Sequence, residues 1–268
     1  MAKAQTPPSW EEATRAQYDD DANLAARQAL FDYIVEATPL AAPLDDLSAL
    51  QGDRVLDLGC GNSLFLANAR AGGATAVGCD LSLGMVQTAR DTAASPVSQV
   101  DAHQLPFCDD SFDVVLALWM LYHVADRPKA LAEVARVLRP GGRLVATTNS
   151  GDDHDLRRVI TLGLSDVLGR TVEDYHPALP FTAENGAEIL GGVFPDVAVH
   201  PFGNVFDVTD PVVLVRYAGS MLGPMHELHG DFDDAGVLAA VGRRSEDALA
   251  ESGSVRIERN GAVFIAQE

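Results

Sequence analysis

Between residues 52 and 149, short runs of valine and leucine alternate with segments of helical spacing, and this rhythm leaves few architectures open. The strand candidates are RVLDLG (54–59), TAVGCD (75–80), SQVDA (98–102), FDVVLAL (112–118) and GRLVATTN (142–149). Their near-continuous apolar content suits strands covered on both faces, as in a parallel sheet. Between them, SLFLANARAG (63–72), SLGMVQTARDTA (82–93) and RPKALAEVARVL (127–138) carry helical periodicity. Pro128 near the start of the last segment and RPGG at its end are start and stop signals. The pattern predicts a doubly wound α/β sheet.

The flanks read differently. NLAARQALFDYIVEA (23–37) predicts an amphipathic helix, residues 151–190 read as mostly helical with loops, and DPVVLVRYAGSML (210–222) reads as helix. VAVHPF (197–202) is strand-like. SVRIERNGAVFIAQ (254–267) alternates as β structure, with Asn260 and Gly261 offering a turn or a bulge. The boundaries this suggests are an N-terminal helical lid over 1–51, a core over 52–150, a helical cap with one strand over 151–253, and a return to the core sheet over 254–268.

In an open α/β sheet, ligands bind beyond the carboxyl ends of the strands. There, Gly59 and Gly61 let the backbone approach a ligand, and the helix after Ser63 aims unpaired N–H groups at the same space. Three carboxylates end three successive strands: Asp57, Asp80 and Asp101. Asp80 stands 23 residues after Asp57, where an acid accepts both hydroxyls of a ribose. Asp101 is placed to meet an adenine edge. A dinucleotide is disfavoured: Leu64 occupies the place of the third glycine, and Asp57 would face a pyrophosphate. The ammonium and sulfonium of S-adenosylmethionine suit the same carboxylate.

Composition excludes other classes. The chain of 268 residues is 47% hydrophobic, enough for a sizeable core. Its 39 acidic against 19 basic residues give a formal charge of −20, which repels phosphate backbones and argues against nucleic acid as a partner. The longest apolar run, VVLALWML (114–121), is too short to span a bilayer, and the opening MAKAQTPPSW lacks a signal-peptide core, so no membrane association and a cytoplasmic location are expected. Cys60, Cys79 and Cys108 have neither disulfide nor zinc spacing, and HELH (226–229) lacks a third ligand, so no metal is expected.

VLDLGCGNS, GCDLSLGMVQTAR, VDAHQLPFCDDSFDVVLALWMLYHV and VLRPGGRLVATTN, in this order, resemble the class I S-adenosylmethionine-dependent methyltransferases, specifically the UbiE-like type 11 group. The resemblance covers about residues 52–149, with weaker likeness to small-molecule methyltransferases in the flanks. Ser63 departs from it, since that loop often carries a third glycine. The resemblance implies a Rossmann-like, mostly parallel, seven-stranded sheet with an N-terminal helix and a helical substrate cap. It implies S-adenosyl-L-methionine as cofactor and S-adenosyl-L-homocysteine as product. Gly59, Cys60 and Gly61 would line the methionyl moiety and Asp80 would hold the ribose. Leu81 and Met85 would flank the adenine, Asp101 and Ala102 would meet its edge, and the Leu118 backbone would receive the ammonium.

Methyl transfer needs in-line approach and exclusion of water, so the protein positions, desolvates and removes a proton. His123 is the first candidate base, with a pocket-shaping hydrogen bond as its other reading. Tyr122 and Trp119 are candidates for the acceptor wall, and Tyr18 and Arg27 for closure over the cofactor. His154 and the cap residues Tyr175, Phe181, Phe202, Phe206, Tyr217, Met221 and Met225 would face a small, partly apolar acceptor or build the cap's own core. The expected function is O-, N- or C-methylation of a small molecule, in secondary metabolism or on a quinone-like acceptor, and a homo-oligomer is compatible with it. The alternatives are an NAD-dependent oxidoreductase, a binding protein that retains the pocket without turnover, and use of the bound cofactor for other chemistry such as cyclisation.

Overall fold

The computed structural model describes residues 17–38, 50–92, 95–151, 154–172 and 180–267. The chain opens with α1 (Ala22–Gln28), a 3-10 turn (Ala29–Tyr33) and β1 (Ile34–Ala37). The α/β core follows: β2 (Arg54–Leu58), α2 (Leu64–Ala71), β3 (Thr75–Asp80), α3 (Leu83–Thr92), β4 (Val97–Gln99), β5 (Phe112–Leu118), a 3-10 turn (Leu121–His123), α4 (Arg127–Val137) and β6 (Leu138–Asn149). Next come α5 (His154–Leu168), α6 (Gly186–Gly191), β7 (Asp196–Val208), α7 (Pro211–Gly219), α8 (Leu222–His229), α9 (Asp234–Ser252) and β8 (Val255–Gln267).

The strands form one sheet in the order β1-β7-β8-β6-β5-β2-β3-β4. β2 to β6 are mutually parallel, whereas β8 runs antiparallel to both β6 and β7. The strand order reverses between β2 and β5, so the crevice at their carboxyl ends is the topological switch point. Every residue of β5 is buried, as a central strand covered by helices on both faces requires. One face packs Leu131 and Val134 of α4 with Phe181, Leu190 and Phe194; the other packs Leu66 and Ala69 of α2 with Val86 and Ala89 of α3. A third cluster ties α5, α7, α8 and α9 to β7 and β8.

Three expectations are corrected. The mixed sheet has eight strands among the described residues rather than seven. The eighth arises because the expected helix over 23–37 breaks after Gln28, turns through a 3-10 segment, and gives β1, which pairs antiparallel with β7. The adjacent β-branched Ile34 and Val35 favour extended backbone, and pairing on an open sheet edge outweighs the helical periodicity. Asn260 and Gly261 make neither turn nor bulge, because β8 keeps one unbroken register with β7 from Val255 to Gln267. Gly261 is there for close packing: a Cβ would lie 2.4 Å from the Thr148 carbonyl and 2.5 Å from the Phe202 ring.

Candidate active site

A cavity of about 630 Å³ opens at the switch point. Its floor follows from the strand ends. Gly59 and Gly61 turn the chain out of β2 with φ of 72° and 52°, in the left-handed region that favours glycine. A Cβ at Gly59 would also meet the Met120 side chain at 2.8 Å. Ser63, where the resemblance anticipates glycine, takes φ 68° itself, and its hydroxyl pairs with that of Thr92 at 2.9 Å. Trp119, immediately after β5, is likewise left-handed at φ 53°. Its backbone N–H donates to Thr147, and its indole donates to Asn149 Oδ1 at 3.1 Å, so the ring is fixed despite the strained backbone.

The acids are not equivalent. Asp57 is 3% exposed, and its Oδ2 has no hydrogen-bond partner among the described residues. Burial, and then the charge of Asp80, push its carboxyl up to about 7, while the Leu66 backbone N–H partly offsets them. Asp80 accepts from the backbone N–H of Gly61 at 3.0 Å and of Ser82 at 2.9 Å. Burial raises Asp80 as well, against those bonds and one from the Leu81 backbone. Asp101 accepts from the His103 backbone N–H at 2.9 Å and pairs with His103 Nδ1 at 2.7 Å. His103 Nε2 accepts from the Asp126 backbone N–H, so Nδ1 carries the proton donated to Asp101.

The segment before β1 lies over this floor. Arg27 donates to Ser220 through Nε and Nη2, and to the Tyr18 hydroxyl through Nη1 at 2.8 Å. The Tyr18 hydroxyl sits 3.2 Å from His123 Nε2, and the two rings meet edge-on. Since arginine only donates, the Tyr18 oxygen accepts from Arg27 and its own hydrogen is available to His123. Ser82 donates to the Tyr18 carbonyl at 2.6 Å, and Gln28 pairs with Asn62, fastening the segment to the loops after β3 and β2.

All twelve residues expected to hold the cofactor line this cavity: Tyr18, Arg27, Asp57, Gly59, Cys60, Gly61, Asp80, Leu81, Met85, Asp101, Ala102 and Leu118. Trp119, Tyr122 and His123 line it too. His123 departs from the expectation of titration near neutral pH. Burial, and then the Arg27 charge, hold its imidazole down to about 3, so it stays neutral and is a weak proton acceptor. Burial raises the Tyr122 hydroxyl well above the ordinary tyrosine range, which keeps it a donor. Cys60 and Cys79 are likewise raised by burial and stay protonated.

The expected acceptor cap is not brought together at this cavity. Met221 packs against the third cluster and is not among the cavity-lining residues. Phe206, Tyr217 and Met225 belong to that cluster, and Phe181 joins the main core against Phe264. Phe202 meets the Trp119 ring edge-on at 6.3 Å. His154 is the first residue of α5, and Tyr175 lies outside the described residues.

Phe31, Phe65, Met120 and Arg259 also line the cavity, and sequence reasoning passed over them. Arg259 had a signal: in β8 it is the charged residue in the apolar register Val255, Ile257, Gly261, Val263, Ile265. Among the described residues no group of acids, histidines and cysteines is arranged to hold a metal ion. His226 of HELH instead pairs with Asp234 at 2.6 Å and stacks on Phe232.

Comparison with known proteins agrees with this geometry. Residues 56–146 match the methyltransferase domain family Methyltransf_11. A demethylmenaquinone methyltransferase of Mycobacterium sp. (strain KMS) is 46% identical over 94 residues, 35% of this chain and 40% of that protein. The 27-O-demethylrifamycin SV methyltransferase of Amycolatopsis mediterranei (strain S699) is 33% identical over 187 residues, 63% of this chain and 65% of that protein. This chain thus spans less than two thirds of each of these relatives. Among solved structures, the cyclase SpnF shares the fold with a TM-score of 0.55 at 20% identity, over 97% of both chains. Residues 56–146, on the parallel sheet that carries them, thus form a methyltransferase domain resembling those of the class I S-adenosylmethionine-dependent enzymes.

Proposed function

We propose that the cavity holds S-adenosylmethionine and that the protein transfers a methyl group to a small-molecule acceptor. The observation that carries this reading is the unpartnered Oδ2 of Asp57, buried at the cavity lip beside the half-buried carboxylate of Asp80. Two acids forced together out of water call for a cation between or beside them. The methionyl ammonium is such a cation, whereas a dinucleotide would bring a pyrophosphate to the same place. The relatives' names support a small-molecule acceptor, since one acts on a demethylrifamycin and another on a demethylmenaquinone.

When bound, S-adenosylmethionine supplies a methyl group activated by its sulfonium. The chain's own residues do the rest. Asp57 holds the ammonium, directly or through water, with the Leu118 backbone. Asp80, oriented by its bonds from the Gly61 and Ser82 backbone N–H groups, accepts the ribose hydroxyls. Leu81 and Met85 flank the adenine, and Asp101 and Ala102 meet its edge. Tyr18 and Arg27, latched to Ser220, act as a lid that excludes water. His123, held neutral and bonded to Tyr18, acts as a positioning residue for the lid. Trp119 and Tyr122 bound the acceptor.

Incubation with isotopically labelled S-adenosylmethionine and a broad panel of small-molecule acceptors, read by mass spectrometry, tests the activity. A labelled methylated product is expected. Tight S-adenosylhomocysteine binding with no label leaving the cofactor would favour a binding protein instead, and cyclised unlabelled product would favour other chemistry.

A further inference from the structure

The cavity is electrically divided. Asp57, Asp80 and Asp101 stand at or just beyond the carboxyl ends of β2, β3 and β4. Arg259 enters the same cavity from β8, in the register that buries Ile257 and Val263 to 1% and 0% exposure. A guanidinium on the inward face of a strand is rare unless a partner meets it there. Its five N–H donors allow it to keep a protein contact and grip a ligand together. Arg27 differs, because its Nε and both terminal nitrogens are directed at Ser220 and Tyr18. The charges of Arg259 and Arg27 both reach Tyr122, whose hydroxyl burial keeps protonated. This wall therefore offers donors and positive charge. Asp32, the remaining acid of the lining, is exposed, where water screens it. The same cavity is lined by flat apolar surfaces: the Trp119 and Phe65 rings have centroids 6.0 Å apart, and Phe31 is 40% exposed.

Resting on the methyl-transfer reading, we propose that the acceptor is an acidic molecule with a flat apolar body, its carboxylate or phenolate oxygen anchored by Arg259 and its body bounded by Trp119 and Phe65. The long-range field of a chain with formal charge −20 opposes an approaching anion, so the discrimination has to be local, and Arg259 supplies it.

Calorimetry on the full chain saturated with S-adenosylhomocysteine tests this with 2-naphthoate and its uncharged isostere 2-naphthamide. The carboxylate is expected to bind about 10- to 100-fold more tightly than the amide, the range for one charge-assisted contact. Arg259→Met is expected to abolish that preference and Arg259→Lys to retain part of it, both with unchanged S-adenosylhomocysteine affinity. Equal affinity for the two probes, no saturable binding of the carboxylate, or a preference that survives Arg259→Met overturns the proposal and leaves the cofactor reading intact. Failure of S-adenosylhomocysteine to bind the unmodified protein is the separate result that defeats the cofactor reading.

Discussion

Asp57→Asn should stabilise the free protein while weakening its hold on the cofactor. The side chain is buried at 3% exposure, lacks a partner at Oδ2, and has its carboxyl moved from 3.8 to about 7. At about 1.4 kcal/mol per tenfold change in proton affinity, the ionised form carries a burden on the order of 4 kcal/mol. Compact unfolded chains and coupling to Asp80 make that a ceiling. Because the folded carboxyl is raised above its unfolded value, the native state binds more protons between those two values. Stability is therefore full below about pH 4 and is lost as pH rises through 7. Asparagine keeps the shape and cannot ionise. Thermal melts of the apo protein at pH 5 and pH 8 should show the variant gaining on the wild type at pH 8, by several degrees at about 2 to 4 °C per kcal/mol, and gaining less at pH 5. Calorimetry should show S-adenosylhomocysteine binding weakened by about 10-fold or more, since the ammonium loses its counter-charge. A variant that melts lower at pH 8, or shows the same shift at both pH values, would refute the reasoning about burial. Unchanged ligand affinity would remove Asp57 from the site.

Asp80→Ala should weaken S-adenosylhomocysteine binding by about 1.5 to 3 kcal/mol with the fold retained, and calorimetry showing normal affinity would exclude a ribose contact. His123→Ala should leave the turnover–pH profile between pH 6 and 9 unchanged in shape, because the imidazole is already neutral there, while loss of the Tyr18 contact weakens S-adenosylhomocysteine binding about fivefold. A low-pH limb that vanishes in the variant would restore His123 as the base. At Ser63, held at φ 68°, Ser63→Gly should melt higher than Ser63→Ala by about 1 kcal/mol, since glycine escapes the left-handed penalty by more than its added chain entropy. The reverse ranking in thermal melts would show that the loop relaxes.

Much of the core was legible because its signals are local. Periodic apolar strands, Gly59 and Gly61 at the turn, and acids at three strand ends each follow from short stretches of sequence, and the structure brings them to one cavity. The flanks were less legible because their structure depends on distant partners. Residues 34–37 become a strand only because β7 presents an open edge, and Met221, Tyr217 and Met225 pack inward because α7, α8 and α9 close on one another. Arg259 was visible as a charge in an apolar register, yet a turn or bulge at Asn260 and Gly261 would have ended that register beside it. The weak basicity of His123 could not be read at all, since it arises from burial under Tyr18 and the charge of Arg27, far away in sequence.

On the proposed function, Asp57 and Asp80 make this cavity a site for an adenosyl ligand that carries an ammonium. Side-by-side calorimetric titration of the unmodified protein with S-adenosylhomocysteine and with NADH tests it most directly. Saturable one-to-one binding of S-adenosylhomocysteine is expected, lost in Asp57→Asn combined with Asp80→Ala, with no measurable heat from NADH. Saturable NADH binding without S-adenosylhomocysteine binding would contradict it.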